Sequence, residues 1–152
     1  MRAVIQRVES AAVSVDGSVV GRISGGFLVL LGIGSDDTER DCEKLSRKMI
    51  DLRIFADDEG KTNLSLKDVG GELLIISQFT LYADCHKGNR PNFLKAKEPA
   101  EAQRLYELFC ELCGREVPIV ERGIFGAEMR VELVNDGPFT IVLECNDCEI
   151  SS

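Results

Sequence analysis

The chain has 152 residues, 44% hydrophobic and 29% charged, which suits one globular domain and excludes intrinsic disorder. Its longest apolar run, Phe27-Leu28-Val29-Leu30-Leu31, is far short of the roughly 18 residues of a spanning helix, so a membrane span is excluded. With 18 Lys and Arg against 26 Asp and Glu the net charge is −8, which opposes non-specific adhesion to nucleic acid or anionic lipid.

The chain opens in a strand rhythm. Ala3, Ile5 and Arg7 share one face, and Val13 and Val15 continue the alternation to the turn at Asp16-Gly17. No apolar signal region interrupts Arg2, Arg7, Glu9 and Asp16, so a cytoplasmic chain with reduced cysteines is expected. Val19, Val20 and Ile23 resume, and Phe27 to Ile33 reads as a buried central strand after Gly25-Gly26. Residues 1–33 are thus expected to form a three-stranded antiparallel meander. Ser35-Asp36-Asp37-Thr38 starts a helix, with Asp36 and Glu39 at capping-box spacing. Cys42, Leu45, Met49 and Leu52 carry its apolar stripe. Arg53-Ile54-Phe55 is a short strand before a polar loop over 56–66.

Glu72 to Ala83 is the most apolar strand, and it turns abruptly polar at Ser77-Gln78. A basic loop follows. Residues 86–97 hold Lys87, Arg90, Lys95 and Lys97 with no acidic residue, an inversion of the chain's overall charge that points to an anionic partner. Pro99 opens a second helix striped with Leu105, Leu108, Phe109 and Leu112 and ended by Gly114. Three more strands complete the chain over 117–121, 128–134 and 139–144, with Asp136-Gly137-Pro138 between the last two. The pattern predicts an α+β domain over 1–152: a curved antiparallel sheet or partial β-barrel with two main helices packed on one side, and a frayed tail over 145–152.

Several residue sets could carry chemistry. Ser77, Gln78 and Thr80 at the end of a buried strand must be satisfied by the ladder or offered to a ligand. Two C-x-x-C pairs, Cys110/Cys113 and Cys145/Cys148, have zinc-ligand spacing, but the first lies inside an amphipathic helix, where cysteine serves as a small apolar residue. A zinc-dependent nucleic-acid-binding module is therefore one alternative. His86 is the one histidine, so a small-molecule esterase would pair it with Ser77 or Thr80, although no G-x-S-x-G elbow is present.

Taken together, Met1-Arg2-Ala3-Val4-Ile5-Gln6-Arg7-Val8, Ser77-Gln78-Phe79-Thr80-Leu81, Lys87-Gly88-Asn89-Arg90-Pro91 and Asn135-Asp136-Gly137-Pro138-Phe139-Thr140 resemble the D-aminoacyl-tRNA deacylase family. The resemblance implies a cofactor-free and metal-free homodimer with active sites at the subunit interface. It also implies hydrolysis of the ester between a D-amino acid, or glycine, and the 3′-terminal adenosine of tRNA. Ser77, Gln78, Phe79 and Thr80 would then form the catalytic end. A cis Gly137–Pro138 unit from the partner would hold the substrate ammonium through its carbonyls. Ala102 and Phe125 would lie around the adenosine, and Lys87, Arg90, Lys95 and Lys97 would meet tRNA phosphates.

Overall fold

A computed structural model describes residues 1–146 and 149–151, with side chains described through residue 145. The elements in order are β1 (Arg2–Val15), β2 (Ser18–Ile23), β3 (Gly26–Gly32), α1 (Glu39–Ile50), β4 (Phe55–Ala56), β5 (Thr62–Leu64), β6 (Glu72–Ser77), α2 (Pro99–Gly114), β7 (Val120–Arg122), β8 (Arg130–Asn146) and β9 (Glu149–Ser151). The main sheet runs β7-β6-β3-β1-β8-β9, with β2 also on β1, and β4 and β5 form a separate hairpin. This is the α+β partial barrel with two helices on one side that the sequence predicts.

Two features of the sheet differ from expectation. First, β1 is long enough to serve two partners along one edge. Ala11–Val15 pair with β2 and Arg2–Val8 pair with β3, so residues 1–33 share one spine instead of forming a meander. Second, the sheet is mixed. β3 pairs parallel with β6, and β6 with β7, through crossovers that contain α1 and α2. Parallel strands covered on both faces read as continuous apolar runs, as Phe27–Leu31 and Leu73–Ile76 do.

Those runs feed two cores. On the helix side Phe27, Val29, Leu73 and Ile75 meet Leu45 and Met49 of α1 and Leu105 and Phe109 of α2, all fully or almost fully buried. Each such side chain contributes about 1.5–3 kcal/mol by leaving water. On the other side Leu28, Leu74 and Ile76 meet Val8, Val13 and Ile23, because the distal half of β1 curls over the sheet with β2. The register of β1 against β8 shifts twice, between Gln6 and Val8 and between Val8 and Ser10, which provides the bend. β2 then approaches β7 closely, since a Cβ on Gly21 would stand 3.0 Å from the Arg122 carbonyl oxygen.

The helix starts obey local rules, with one reassignment. Thr38, the last of the four candidate caps, caps α1, and the capping box pairs it with Asp41 instead of Asp36 with Glu39. The Thr38 backbone N–H and hydroxyl both donate to Asp41, each at 2.8 Å. Asp37 is diverted to accept from the Gly34 N–H at 2.6 Å and from the Met1 amino group. Pro99 stands in the first turn of α2 as expected, capped by the Glu98 carboxylate, which accepts from the N–H groups of Ala100 and Glu101. Cys145 is buried and its N–H donates to the Met1 carbonyl, so it belongs to the body of the domain rather than to a frayed tail. Residues 149–151 pair with the end of β8.

Candidate active site

β6 leaves the ladder at Ser77, which pairs with Leu31, and the next N–H, from Gln78, donates to the Leu31 carbonyl at 2.8 Å. The chain then folds into a 3-10 turn over Phe79–Tyr82. The leading N–H groups of such a turn, on Phe79 and Thr80, have no acceptor within it. This strand end forms one wall of a cavity of about 780 Å³. Ser77, Gln78 and Phe79 line it from β6, Ala102 from α2, and Phe125, Met129 and Val131 from the approach to β8 and its start. Phe93 and Leu94 form the outer lip, where Phe93 meets Phe79 edge-on at 4.9 Å and Leu94 is 89% exposed.

The cavity is nearly free of acid–base groups. Among the described residues the only ionisable side chains lining it are Lys97 and Glu98. Lys97 Nζ donates to the Ser35 carbonyl at 2.7 Å, and Glu98 caps α2. Thr80 is exposed outside the lining, and its hydroxyl accepts from the Gln78 side-chain amide. His86 lies on the surface beyond the lining, with its backbone N–H on the Asp84 carboxylate at 3.0 Å. No nucleophile–base pair of the esterase kind is therefore assembled among these residues.

The basic loop divides into a fixed base and an outward tip. Asp84 and Asn92 exchange backbone hydrogen bonds of 2.8 and 3.0 Å, and Ser35 N–H donates to Lys95 O at 2.9 Å. Lys97 N–H donates to Ile33 O, which ties the base to the end of β3. Lys95 Nζ stands 3.8 Å from Asp84. Lys87 and Arg90 are exposed at the tip, away from the cavity lining.

Gly137 and Pro138 are elsewhere. Rather than turning between two strands, they lie within β8, where Asn135 pairs with Val8 and Thr140 with Gln6. The residues between form a loop looped out from the ladder, and the Gly137–Pro138 bond is cis. Asn135 fastens its ends, with the side-chain oxygen accepting from Phe139 N–H at 2.9 Å. Arg7, a single charge on the buried side of β1, holds its middle. Its guanidinium pairs with the Asp136 carboxylate at 2.9 Å, donates to the Asp136 and Ile54 carbonyls, and lies 4.9 Å from the Phe139 ring centroid. Gly137 has φ +132°, and a Cβ there would stand 3.0 Å from Phe139 N and 3.1 Å from an Arg7 nitrogen. The sequence signal for Arg7, a cation continuing the Ala3-Ile5 face, was present, but it did not reveal this role. Phe93, Leu94 and Met129 were likewise unmarked.

The thiols lie outside this chemistry. Burial pushes Cys42 up to about 12 and Cys110 to about 11. Cys145 is pushed to about 11 by burial first and by Asp41 second. No group of potential metal ligands forms among the described residues; Cys148, the last member of the second C-x-x-C pair, lies outside them.

A family model described as D-Tyr-tRNA(Tyr) deacylase matches residues 4–144. The chain belongs to this family. A D-aminoacyl-tRNA deacylase of Clostridium novyi is 53% identical over 144 residues, covering 95% of this chain and 97% of that one. Its counterpart in Thermosipho africanus is 56% identical over the same shares. Among solved structures, one named c-Myc DNA Unwinding Element Binding Protein superposes with a TM-score of 0.91 at 41% identity, covering 96% of this chain and 99% of that one. A probable eukaryotic D-amino acid tRNA deacylase shares the fold at a TM-score of 0.82 and 19% identity, over 93% and 97%. No helix among the described residues of this family member is long and apolar enough to cross a membrane.

Proposed function

We propose that the protein hydrolyses the ester of D-aminoacyl-tRNA and does so as a homodimer, each cavity being completed by the Gly137–Pro138 loop of the second copy. The observation that carries this reading is the division of the site. The cavity at the β6 end has volume and mostly apolar walls, and the one carboxylate among its described lining residues, Glu98, is taken up in capping α2, whereas the Arg7-anchored loop carries the exposed Gly137 and Pro138 and does not line this cavity in its own chain.

Handedness follows from geometry. With the ammonium held by the loop carbonyls and the ester carbon fixed at Phe79 and Thr80, an L side chain points into backbone, while a D side chain points outward. Rejection by collision ignores what the accepted side chain is. Glycine, having none, is also hydrolysed. The free N–H groups of Phe79 and Thr80 stabilise the oxyanion. With Lys97 held on the Ser35 carbonyl and Glu98 capping α2, the reading has water attack with the assistance of the terminal ribose 2′-hydroxyl, the protein supplying position. Ala102 and Phe125 flank the adenosine, and Lys87, Arg90, Lys95 and Lys97 meet phosphates. This chemistry needs no cofactor, and it places the protein where tRNA is charged, in the cytoplasm.

The test is deacylation of matched D- and L-tyrosyl-tRNA, with a 2′-deoxy terminal adenosine as third substrate. The reading expects the D ester to turn over at least about a hundredfold faster than the L ester, with the 2′-deoxy ester nearly inert. Equal rates for the two hands overturn the chirality account. Full reactivity of the 2′-deoxy ester overturns the role of the RNA hydroxyl.

A further inference from the structure

A second cavity, of about 450 Å³, lies between α2 and β7. Phe125 lines both it and the first cavity, so the two adjoin at this residue. Tyr106 lies beneath it, 6.0 Å from Phe125 between centroids, with its hydroxyl on the Ile75 carbonyl at 2.8 Å. The polar groups around the cavity form an unusual set. Arg122 is exposed, and no hydrogen bond or ion pair holds its guanidinium among the described residues. Glu111 faces the same space, also without an ion pair to a described residue. Both also line a smaller space of about 200 Å³ further along α2, so they stand where a groove continues away from the first cavity. Glu107 lies nearer Phe125 and accepts from Gln103 at 2.9 Å.

A cation and a carboxylate that share a cavity without neutralising one another are placed to hold a ligand that carries both polarities. Single-stranded RNA is commonly recognised by a base stacked on an aromatic ring with its Watson–Crick edge hydrogen-bonded. The edge of cytosine fits this set. Its exocyclic amine donates to a carboxylate, and its ring nitrogen and carbonyl oxygen accept from a guanidinium. Uracil reverses two of these groups, setting an N–H toward the guanidinium and an oxygen toward the carboxylate. The two glutamates, Glu107 and Glu111, would repel a bare phosphate, which argues for a base rather than for the backbone in this cavity.

Building on the deacylase reading above, we propose that this cavity is the subsite for the cytidine that precedes the terminal adenosine of tRNA. Phe125 divides the two bases, and Arg122 and Glu111 read the cytosine edge. The exit path of the RNA strand is then the groove between α2 and β7. A subsite of this kind makes the protein a reader of the single-stranded end itself, before any contact with the double-stranded stem.

The experiment compares the D-tyrosyl esters of adenosine, of cytidylyl-(3′→5′)-adenosine and of uridylyl-(3′→5′)-adenosine. In the unmodified protein the cytidylyl ester is expected to show a kcat/KM at least about tenfold above that of the adenosine ester. The uridylyl ester is expected to stay within about threefold of the adenosine ester. Arg122→Ala and Glu111→Ala, both at exposed positions, are each expected to reduce the cytidylyl-to-adenosine ratio to below about threefold. The inference is overturned if the cytidylyl ester has no advantage, if the uridylyl ester shares it, or if the ratio survives both substitutions. Hydrolysis of D-tyrosyl-tRNA in those cases leaves the deacylase reading standing, whereas failure to hydrolyse any of these esters and the tRNA overturns that reading itself.

Discussion

The end of β6 and the middle of β8 make opposite contributions to one chain. At the first, a buried strand opens into a roomy apolar cavity lined by Ser77, Gln78 and Phe79, and the turn that follows leaves its leading N–H groups without an acceptor inside it. At the second, a loop leaves the ladder within a strand, is held by Arg7 and Asn135, and exposes Gly137 and Pro138. On the proposed reading the first supplies donors and space and the second supplies acceptors. On that reading a substrate with an ester oxygen and an ammonium group uses both regions.

The largest expected effect comes from setting the two regions against each other. Gly137→Ala places a methyl group against Phe139 N and Arg7 at a φ that L residues rarely adopt, so it distorts the loop. We expect kcat/KM for D-tyrosyl-tRNA to fall at least about a hundredfold while the melting temperature moves by only a few degrees. Ala102→Phe fills the cavity and should be comparably inactive. Mixed dimers of these two inactive variants contain one intact site in each heterodimer, so random mixing should restore about a quarter of the activity. No recovery, with heterodimers present, would break the shared-site comparison.

Arg7→Met comes next. It removes the loop's anchor but keeps a long apolar side chain between Phe55 and Phe139. We expect a loss of tens of fold in kcat/KM and about 1–3 kcal/mol of stability in urea denaturation. Stability lost without loss of turnover would show that the loop positions itself.

A smaller change is expected from Lys87→Gln combined with Arg90→Gln. With two exposed cations removed, KM for tRNA should rise several-fold and the slope of log affinity against log salt should flatten by about 2. The D/L ratio should stay as it was, because the loop tip lies outside the cavity lining. An altered ratio would tie the tip to handedness. Thr80→Ala should be mildest, below about tenfold in kcat, because its hydroxyl only accepts from Gln78 outside the cavity lining. A loss of several orders of magnitude would restore Thr80 as a nucleophile.

How much of this was legible in the sequence differs by element. The strand that turns polar at Ser77 could be read because a buried ladder has no use for Ser, Gln and Thr, and six of the residues singled out, Ser77, Gln78, Phe79, Lys97, Ala102 and Phe125, do meet around one cavity. The parallel pairing of β3 with β6 was hidden, since an apolar run of five residues is compatible with either strand direction. The β8 loop was read as a turn because Asp-Gly-Pro carries turn chemistry, and nothing local tells a turn from an excursion within one strand. Arg7 escaped because its partners, Ile54 and Asp136, are 47 and 129 positions away. The second cavity escaped because Glu111 and Arg122 each look like an ordinary surface charge until α2 and β7 are packed together.

The ladder that runs β8-β1-β3-β6 has a consequence for accuracy. Neighbouring strands lie about 4.8 Å apart, so three steps set the protruding loop and the cavity wall on a fixed lateral spacing of about 14 Å. In the proposed homodimer each loop meets the other copy's cavity, so this spacing fixes the offset at which two copies must dock for both sites to form at once. Warming or added salt should therefore change how fast esters are cut, while the preference between mirror images holds until the copies separate or the sheet itself melts.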